Sequence, residues 1–172
     1  MNAIFARRSI RRYTTEPVGD EQVSKLLAAA MVAPSARDTR SWHFVVLRDR
    51  QLLARVPEFH PHAAMVPTAA LAILVCADPG LEPHEGYWVT NCAAATENLL
   101  IEAQYLGLGA VWLGVYPRQE RMTGLRRLCG VPEAIVPFAL VALGHPAESK
   151  PPADRYDPAR VHLDHWGRSF LS

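Results

Sequence analysis

Nine consecutive residues, 69–77 (Ala-Ala-Leu-Ala-Ile-Leu-Val-Cys-Ala), carry no charged or hydrogen-bonding side chain beyond a thiol. A strand with one face in water alternates apolar and polar residues. This run does not alternate, so it belongs at the centre of a sheet covered on both faces. It is too short to cross a bilayer, so the cover must come from the rest of the chain. A chain of 172 residues is one domain's worth. Its 49% hydrophobic and 20% charged residues suit a soluble globular protein. Residues 87–106 supply the heaviest cover. Val89, Cys92, Thr96, Leu99, Ala103 and Leu106 recur at helical spacing, and Ala94, Ala95 and Ile101 leave the other side hardly more polar. A helix apolar nearly all round is buried on more than one side. In a chain this small, a partner subunit completes that cover most simply.

The remaining elements are read in the same way. Asn2 caps a first short helix. Asp20 is the expected N-cap of a second, with Val23, Leu26, Leu27 and Ala30 on its inner face and Ala33-Pro34-Ser35 as its stop. Aromatic and β-branched residues predict a strand at 42–47, and Asp49 opens a short helix to Arg55. Residues 57–67 are rich in proline and histidine and read as loop with a brief helical turn. Gly107-Leu108-Gly109 ends the long helix. A strand at 110–116, an amphipathic helix at 118–129 and a strand at 136–143 follow. The expectation is one α+β domain over 1–172, with 145–172 an extended C-terminal tail. Net charge is +1 and the three cysteines are scattered, which excludes a disulfide framework and a CxxC pair. No apolar run of signal-peptide length opens the chain. These features predict a cytoplasmic protein without a membrane or nucleic-acid partner.

The basic charge that exists is concentrated in Arg7-Arg8-Ser9-Ile10-Arg11-Arg12-Tyr13. Arginine pairs bidentately with phosphate and stays charged at any working pH. The stretch alone fits a phosphate clamp, a nucleic-acid patch or a solvated basic turn; Arg11 and Arg12 also have simple ion-pair partners available in Glu16 and Asp20. A general nucleic-acid binder needs a broader basic face than this net charge allows. His60 and His62 lack the cysteine or carboxylate partners of a metal site, and no GxGxxG or GxxxxGK nucleotide motif is present.

At Ala33-Pro34-Ser35-Ala36-Arg37-Asp38-Thr39-Arg40-Ser41-Trp42 a pattern emerges. Together with Arg7-Arg8-Ser9, Gly107-Leu108-Gly109-Ala110-Val111-Trp112-Leu113-Gly114 and Gly144-His145-Pro146, it resembles the nitroreductase family of FMN-dependent oxidoreductases. The resemblance runs from the first helix to about Trp166. It implies a nitroreductase-like α+β fold, with a mixed, mostly antiparallel sheet flanked by helices. It also implies an intertwined homodimer with FMN at the subunit interface and the long helix in the dimer core. By the same resemblance Arg7, Arg8 and Ser9 take the FMN phosphate and ribityl, Arg11 the pyrimidine edge, and Arg155 returns to the phosphate. Leu113 and Gly114 pass the ring, with a backbone N–H toward flavin N5. Pro34, Ser35, Asp38 and Arg40 lie in the loop that reaches the ring from the other subunit.

This loop departs from the pattern, which usually has Asn, Gln and Pro where this chain has Asp38, Arg40 and Ser41. An ionised Asp only accepts hydrogen bonds, so Asp38 has three options: accept from the ring N3–H, pair with Arg37 or Arg40, or stand aside. The implied activity is hydride transfer from NADH or NADPH through flavin N5 to nitroaromatics, quinones or activated alkenes, in a ping-pong cycle with no dedicated catalytic side chain and no metal. Alternatives are other flavin chemistry on the same fold, such as dehalogenation or flavin fragmentation, and a non-catalytic flavin-binding module.

Overall fold

The computed structural model describes residues 2–151 and 153–170. The unalternating run becomes the strand β2, and its neighbours are placed around it. In chain order the elements are α1 (Ala3–Ala6), α2 (Asp20–Met31), β1 (Trp42–Leu47), α3 (Arg50–Arg55), β2 (Leu71–Ala77), α4 (Tyr87–Tyr105), β3 (Gly109–Gly114), α5 (Gln119–Cys129) and β4 (Val136–Gly144). The four strands form one sheet in the order β1-β2-β4-β3. Every pairing within it is antiparallel, so the mixed character expected of the sheet is reduced to one isolated parallel bridge, Ser9 to Ala110.

All seven residues of β2 are buried. Leu71, Ile73, Val75 and Ala77 face a core shared with Val23 and Leu26 of α2 and Leu99 and Ala103 of α4. Ala72, Leu74 and Cys76 face a second core with Leu53 of α3 and Leu125 of α5. The period of two is intact; it is invisible in the sequence because both faces are apolar.

α4 buries one face, through Cys92, Ala95, Thr96, Leu99, Leu100 and Ala103, while Val89, Ala93, Ala94 and Ile101 stay half-buried in the single chain. α2 begins one residue from the expected cap. Gly19 is the N-cap, its N–H donating to Gln22 Oε1 at 3.1 Å. Asp20 lies inside the first turn and instead pairs with Arg48 at 2.7 Å. Asn2 and Asp49 cap α1 and α3 as read from the sequence.

The C-terminal segment first clings to the body. Tyr13 bridges Pro146, and the Ala147 N–H donates to the Arg12 carbonyl at 2.9 Å. Beyond Lys150 its described residues are exposed apart from half-buried Val161 and His162, with the Trp166 ring tilted against His162 at 4.4 Å. No helix among the described residues is long and apolar enough to cross a membrane.

Candidate functional site

α1 is a single turn. It ends at Arg7, and the chain then runs extended along β3, where the Ile10 N–H donates to the Ala110 carbonyl at 3.0 Å. That docking turns the basic cluster toward a cavity of about 320 Å³ lined by Arg7, Arg8, Ser9, Arg11, Lys150 and Arg155. Five cations and a hydroxyl therefore meet with no carboxylate on the wall. Arg8 is fixed by carbonyls: Nε donates to Pro151 at 2.8 Å, and Nη1 to Phe5 and Arg7 at 2.9 and 2.6 Å. Its Nη2 is buried with no partner. A guanidinium held by three neutral carbonyls, with two donors left over, is built for an anion. Arg7 leans on Glu97 at 3.2 Å, and Lys150 donates to the Ser9 carbonyl.

Neither Arg11 nor Arg12 takes the simple ion-pair partners suggested by the sequence. Glu16 lies 3.6 Å from His145, and Asp20 is held by Arg48. The Arg11 side chain is exposed, while its backbone N–H donates to Glu148 at 2.5 Å.

Arg11 also lines a second cavity, of about 390 Å³, against the outer edge of β3 with His60, His62, Trp112, Leu113, Gly114 and Arg121. β3 pairs with β4 on one side only. The Ala110 carbonyl is turned outward to Ile10, and the Gly114 carbonyl outward to His60 and Arg121, whose Nε2 and Nη1 lie at 3.0 and 2.7 Å. Alternate strand residues turn their backbone groups to the same side. The Gly114 N–H therefore lies on this open edge, beside the cavity. A Cβ at Gly114 would meet nothing within 4 Å, so the space in front of it is free for a ligand. His60 is buried, its Nδ1 unpartnered. Burial, and then the charge of Arg121, lower its pKa and keep the ring neutral.

The 33–41 loop lies elsewhere. Ser35 Oγ accepts from the Arg40 N–H at 3.1 Å, and Asp38 takes a two-pronged hydrogen bond from Arg40 at 2.8 and 2.6 Å. Of the three options for Asp38, the chain thus adopts the pairing with Arg40, which holds the carboxyl below its ordinary pKa. Arg37, Asp38 and Arg40 all have left-handed backbone, at φ 52°, 56° and 48°. Non-glycine residues held this way persist only where the surroundings over-determine them, and they cluster at functional sites. Here the surroundings are buried Asn91 and Glu82. Asn91 accepts from the Ala36 N–H at 3.0 Å and donates toward Ser41, Thr39 and Glu82; Glu82 accepts from the Thr39 hydroxyl at 2.8 Å and the His84 N–H at 3.1 Å. Pro34 is exposed beside this loop.

The loop enters β1 at Trp42, which pairs with Ala77; Ala77 pairs with Val136. Gly114 pairs with Ala139. Loop and Gly114 therefore share one end of the sheet but flank opposite edges, three strand spacings or roughly 14 Å apart. One chain brings Arg7, Arg8, Ser9, Arg11, Leu113, Gly114 and Arg155 around two adjoining cavities, and leaves Pro34, Ser35, Asp38 and Arg40 outside them.

A model of the nitroreductase family matches residues 4–75 and 60–145. The chain belongs to the nitroreductase family. It is 49% identical over 166 residues to a protein of Methanothermobacter thermautotrophicus provisionally named NADH dehydrogenase/NAD(P)H nitroreductase, covering 96% of this chain and 87% of that one. An FMN-dependent nitroreductase of Clostridium difficile superposes with a TM-score of 0.89 at 26% identity, over 96% and 99% of the two chains. A provisionally named nitroreductase of Desulfovibrio desulfuricans, solved in complex with FMN, gives 0.81 at 34%, over 95% and 94%. For a nitroreductase-family chain the cavity pair fits FMN: cations around one chamber suit its phosphate, and a bare backbone edge in the other suits a flat ring.

Three residues that line these cavities are absent from the sequence reading of the site. Lys150 carried a signal, a cation just after Gly-His-Pro. Arg121 looked like the solvated face of an amphipathic helix. His60 was weighed only as a metal ligand, and no metal-competent cluster exists among the described residues.

Proposed function

We propose that this nitroreductase-family chain is an FMN-dependent oxidoreductase. It draws electrons from NADH or NADPH and passes them to small electron-poor acceptors, such as nitroaromatics, quinones or activated alkenes, in a ping-pong exchange. The observation that carries this reading is the junction of two cavities at Arg11: a chamber lined by five cations and the Ser9 hydroxyl, and an open strand edge at Gly114. When bound, FMN supplies the redox chemistry, taking up and releasing hydride. Arg7, Arg8, Ser9, Lys150 and Arg155 would hold its phosphate and ribityl, and Arg11 would set a positive charge at the ring edge. The Gly114 N–H would serve as a donor to the ring. Neutral His60 and Arg121 steady that strand end through its carbonyl.

The second half of the proposal is a two-fold homodimer. Pro34, Ser35, Asp38 and Arg40 flank the wrong edge of the sheet to reach their own chain's cavities, but a two-fold axis exchanges them between protomers. The half-buried outer face of α4 is the apolar surface for that contact. With Asp38 and Arg40 paired, the loop would meet the ring as a neutral, preformed ion pair.

The test is the visible spectrum of the purified protein before and after anaerobic NADH and then NADPH, with its mass from light scattering. Flavin bands bleached by either nucleotide, on a particle of twice the chain mass, support the proposal. A colourless protein that takes up no added FMN overturns it.

A further inference from the structure

Within the cavity at the open edge of β3, His62 has no task in the reading above, and Arg121 has none beyond steadying the Gly114 carbonyl. Arg121 uses one N–H on the Gly114 carbonyl at 2.7 Å and makes no ion pair among the described residues. The Arg11 guanidinium likewise makes no ion pair among the described residues, Glu148 being held by its backbone N–H, and no carboxylate lines the cavity. Its remaining walls include the half-buried Trp112, an aromatic surface at the strand edge. Most surface arginines sit near acids that neutralise them; two unpaired guanidiniums on one concave wall instead focus a positive potential into it. A guanidinium pinned by one N–H to a carbonyl still presents a planar fork of the kind that pairs with carboxylates. Its anchor is the residue whose N–H faces the cavity, so an anion bound there sits next to the reacting slot.

Resting on the function proposed above, we infer that the electron acceptor is an anion. It carries a carboxylate or sulfonate that Arg121 binds at the Gly114 end of the slot, with His62 beside it. Neutral quinones and nitroaromatics are then the poorer acceptors, for want of a counter-charge on the arginine.

Isosteres isolate the charge. Calorimetry on the FMN-loaded protein compares benzoate with benzamide, two non-reducible probes of equal shape, and turnover compares 4-nitrobenzoate with 4-nitrobenzamide. Intrinsic reactivity favours the amide, which withdraws electrons more strongly, so preference for the carboxylate has to come from the protein. Hydrogen bonds to charged groups predict a benzoate preference of about tenfold or more. R121Q should bring the ratio to near one, and R121K should keep part of it. Should R121Q not fold, the wild-type ratio, its decline with added salt and R121K decide the matter. Equal binding of benzoate and benzamide to a flavin that NAD(P)H bleaches overturns this inference and leaves the proposed function standing. So does an R121Q that slows bleaching by the nucleotides but keeps the benzoate ratio, since the charge then serves the donor. A chain that takes up no FMN removes both.

Discussion

Asn91 is a polar residue in the buried face of α4, and its removal should loosen one loop and leave the fold standing. Its side chain makes four hydrogen bonds, at 3.0 Å from the Ala36 N–H, 3.1 Å to Ser41, and 3.3 Å to each of Thr39 and Glu82. At a net 0.5–1.5 kcal/mol each, with the two long ones at the low end, they contribute about 3 kcal/mol. Opposing them are three left-handed non-glycine residues, Arg37, Asp38 and Arg40, each costing about 1 kcal/mol. The two sums nearly cancel. In Asn91→Ala the segment therefore relaxes out of its strained conformation, and the strain released offsets most of the bonding lost. The net change therefore stays within about 1 kcal/mol of zero, which bounds the shift in Tm at roughly 2–4 °C for a domain of this size. The Ala36 amide, by contrast, should lose its hydrogen-exchange protection altogether. Thermal unfolding followed by far-UV circular dichroism, with amide exchange by NMR, reads both. A Tm drop beyond about 10 °C, or an Ala36 amide still protected, refutes the balance.

Three further outcomes follow from the site. Arg8→Ala with Ser9→Ala removes the two free Nη2 donors and the hydroxyl, and should weaken FMN binding by about 2 kcal/mol or more, roughly 30-fold in Kd by fluorescence titration; a double variant that purifies fully flavinylated contradicts the phosphate assignment. His60 has its pKa lowered in the fold, so it stabilises the native state above its ordinary 6.5, and that contribution is lost as pH falls through the lower folded value. His60→Phe should remove this component from the urea midpoint measured between pH 7.5 and 5, and an unchanged difference between the two pH values argues against a neutral buried ring. Gly114→Ala should fold normally yet bind FMN more weakly, because its Cβ enters open space, whereas Gly124→Ala should destabilise because its Cβ would lie 2.3 Å from the Phe59 ring. Paired Tm and FMN titrations separate the two glycines, and weaker folding of the Gly114 variant goes against the reading.

Much of this architecture was legible because it rests on local chemistry. The helices stop at Gly107 and Gly130, both with left-handed backbone, and Asp49 caps α3 through two N–H groups. The cap of α2 was misplaced because Asp20 and Gly19 are both competent. Gln22 reaching back to the Gly19 N–H decides it, and a glycine cap carries no side-chain signal. The cation-lined cavity was legible from Arg7, Arg8 and Ser9 because consecutive cations are costly without an anion. His60 and Arg121 were not, since their significance lies in meeting one carbonyl across 54 and 7 residues of chain. No local pattern encodes that encounter. The pairing of Asp38 with Arg40 was one of several options in the sequence, and only the left-handed turns between them bring guanidinium and carboxylate face to face.

The two glycines that bound β3 show how backbone and ligand divide an edge strand between them. An unpaired strand edge is a hazard unless something covers it. At the Gly109 end the arginine-bearing arm does so, and it lies so close that a Cβ on Gly109 would come within 2.6 Å of Ile10 and 3.2 Å of Pro146. That glycine is demanded by the chain itself. The bridge stops at Ala110, and from Trp112 to Gly114 the outward backbone groups meet, among the described residues, only His60 and Arg121 on one carbonyl. Gly114 has no positive φ to require glycine and no neighbour to exclude a side chain. Folding therefore gives no reason for glycine at 114. On the function proposed above, a flat ligand that approaches the strand edge closely enough to accept the Gly114 N–H would supply the reason. On that proposal the open edge at Gly114, more than the cluster of charge, would mark where the chemistry is done.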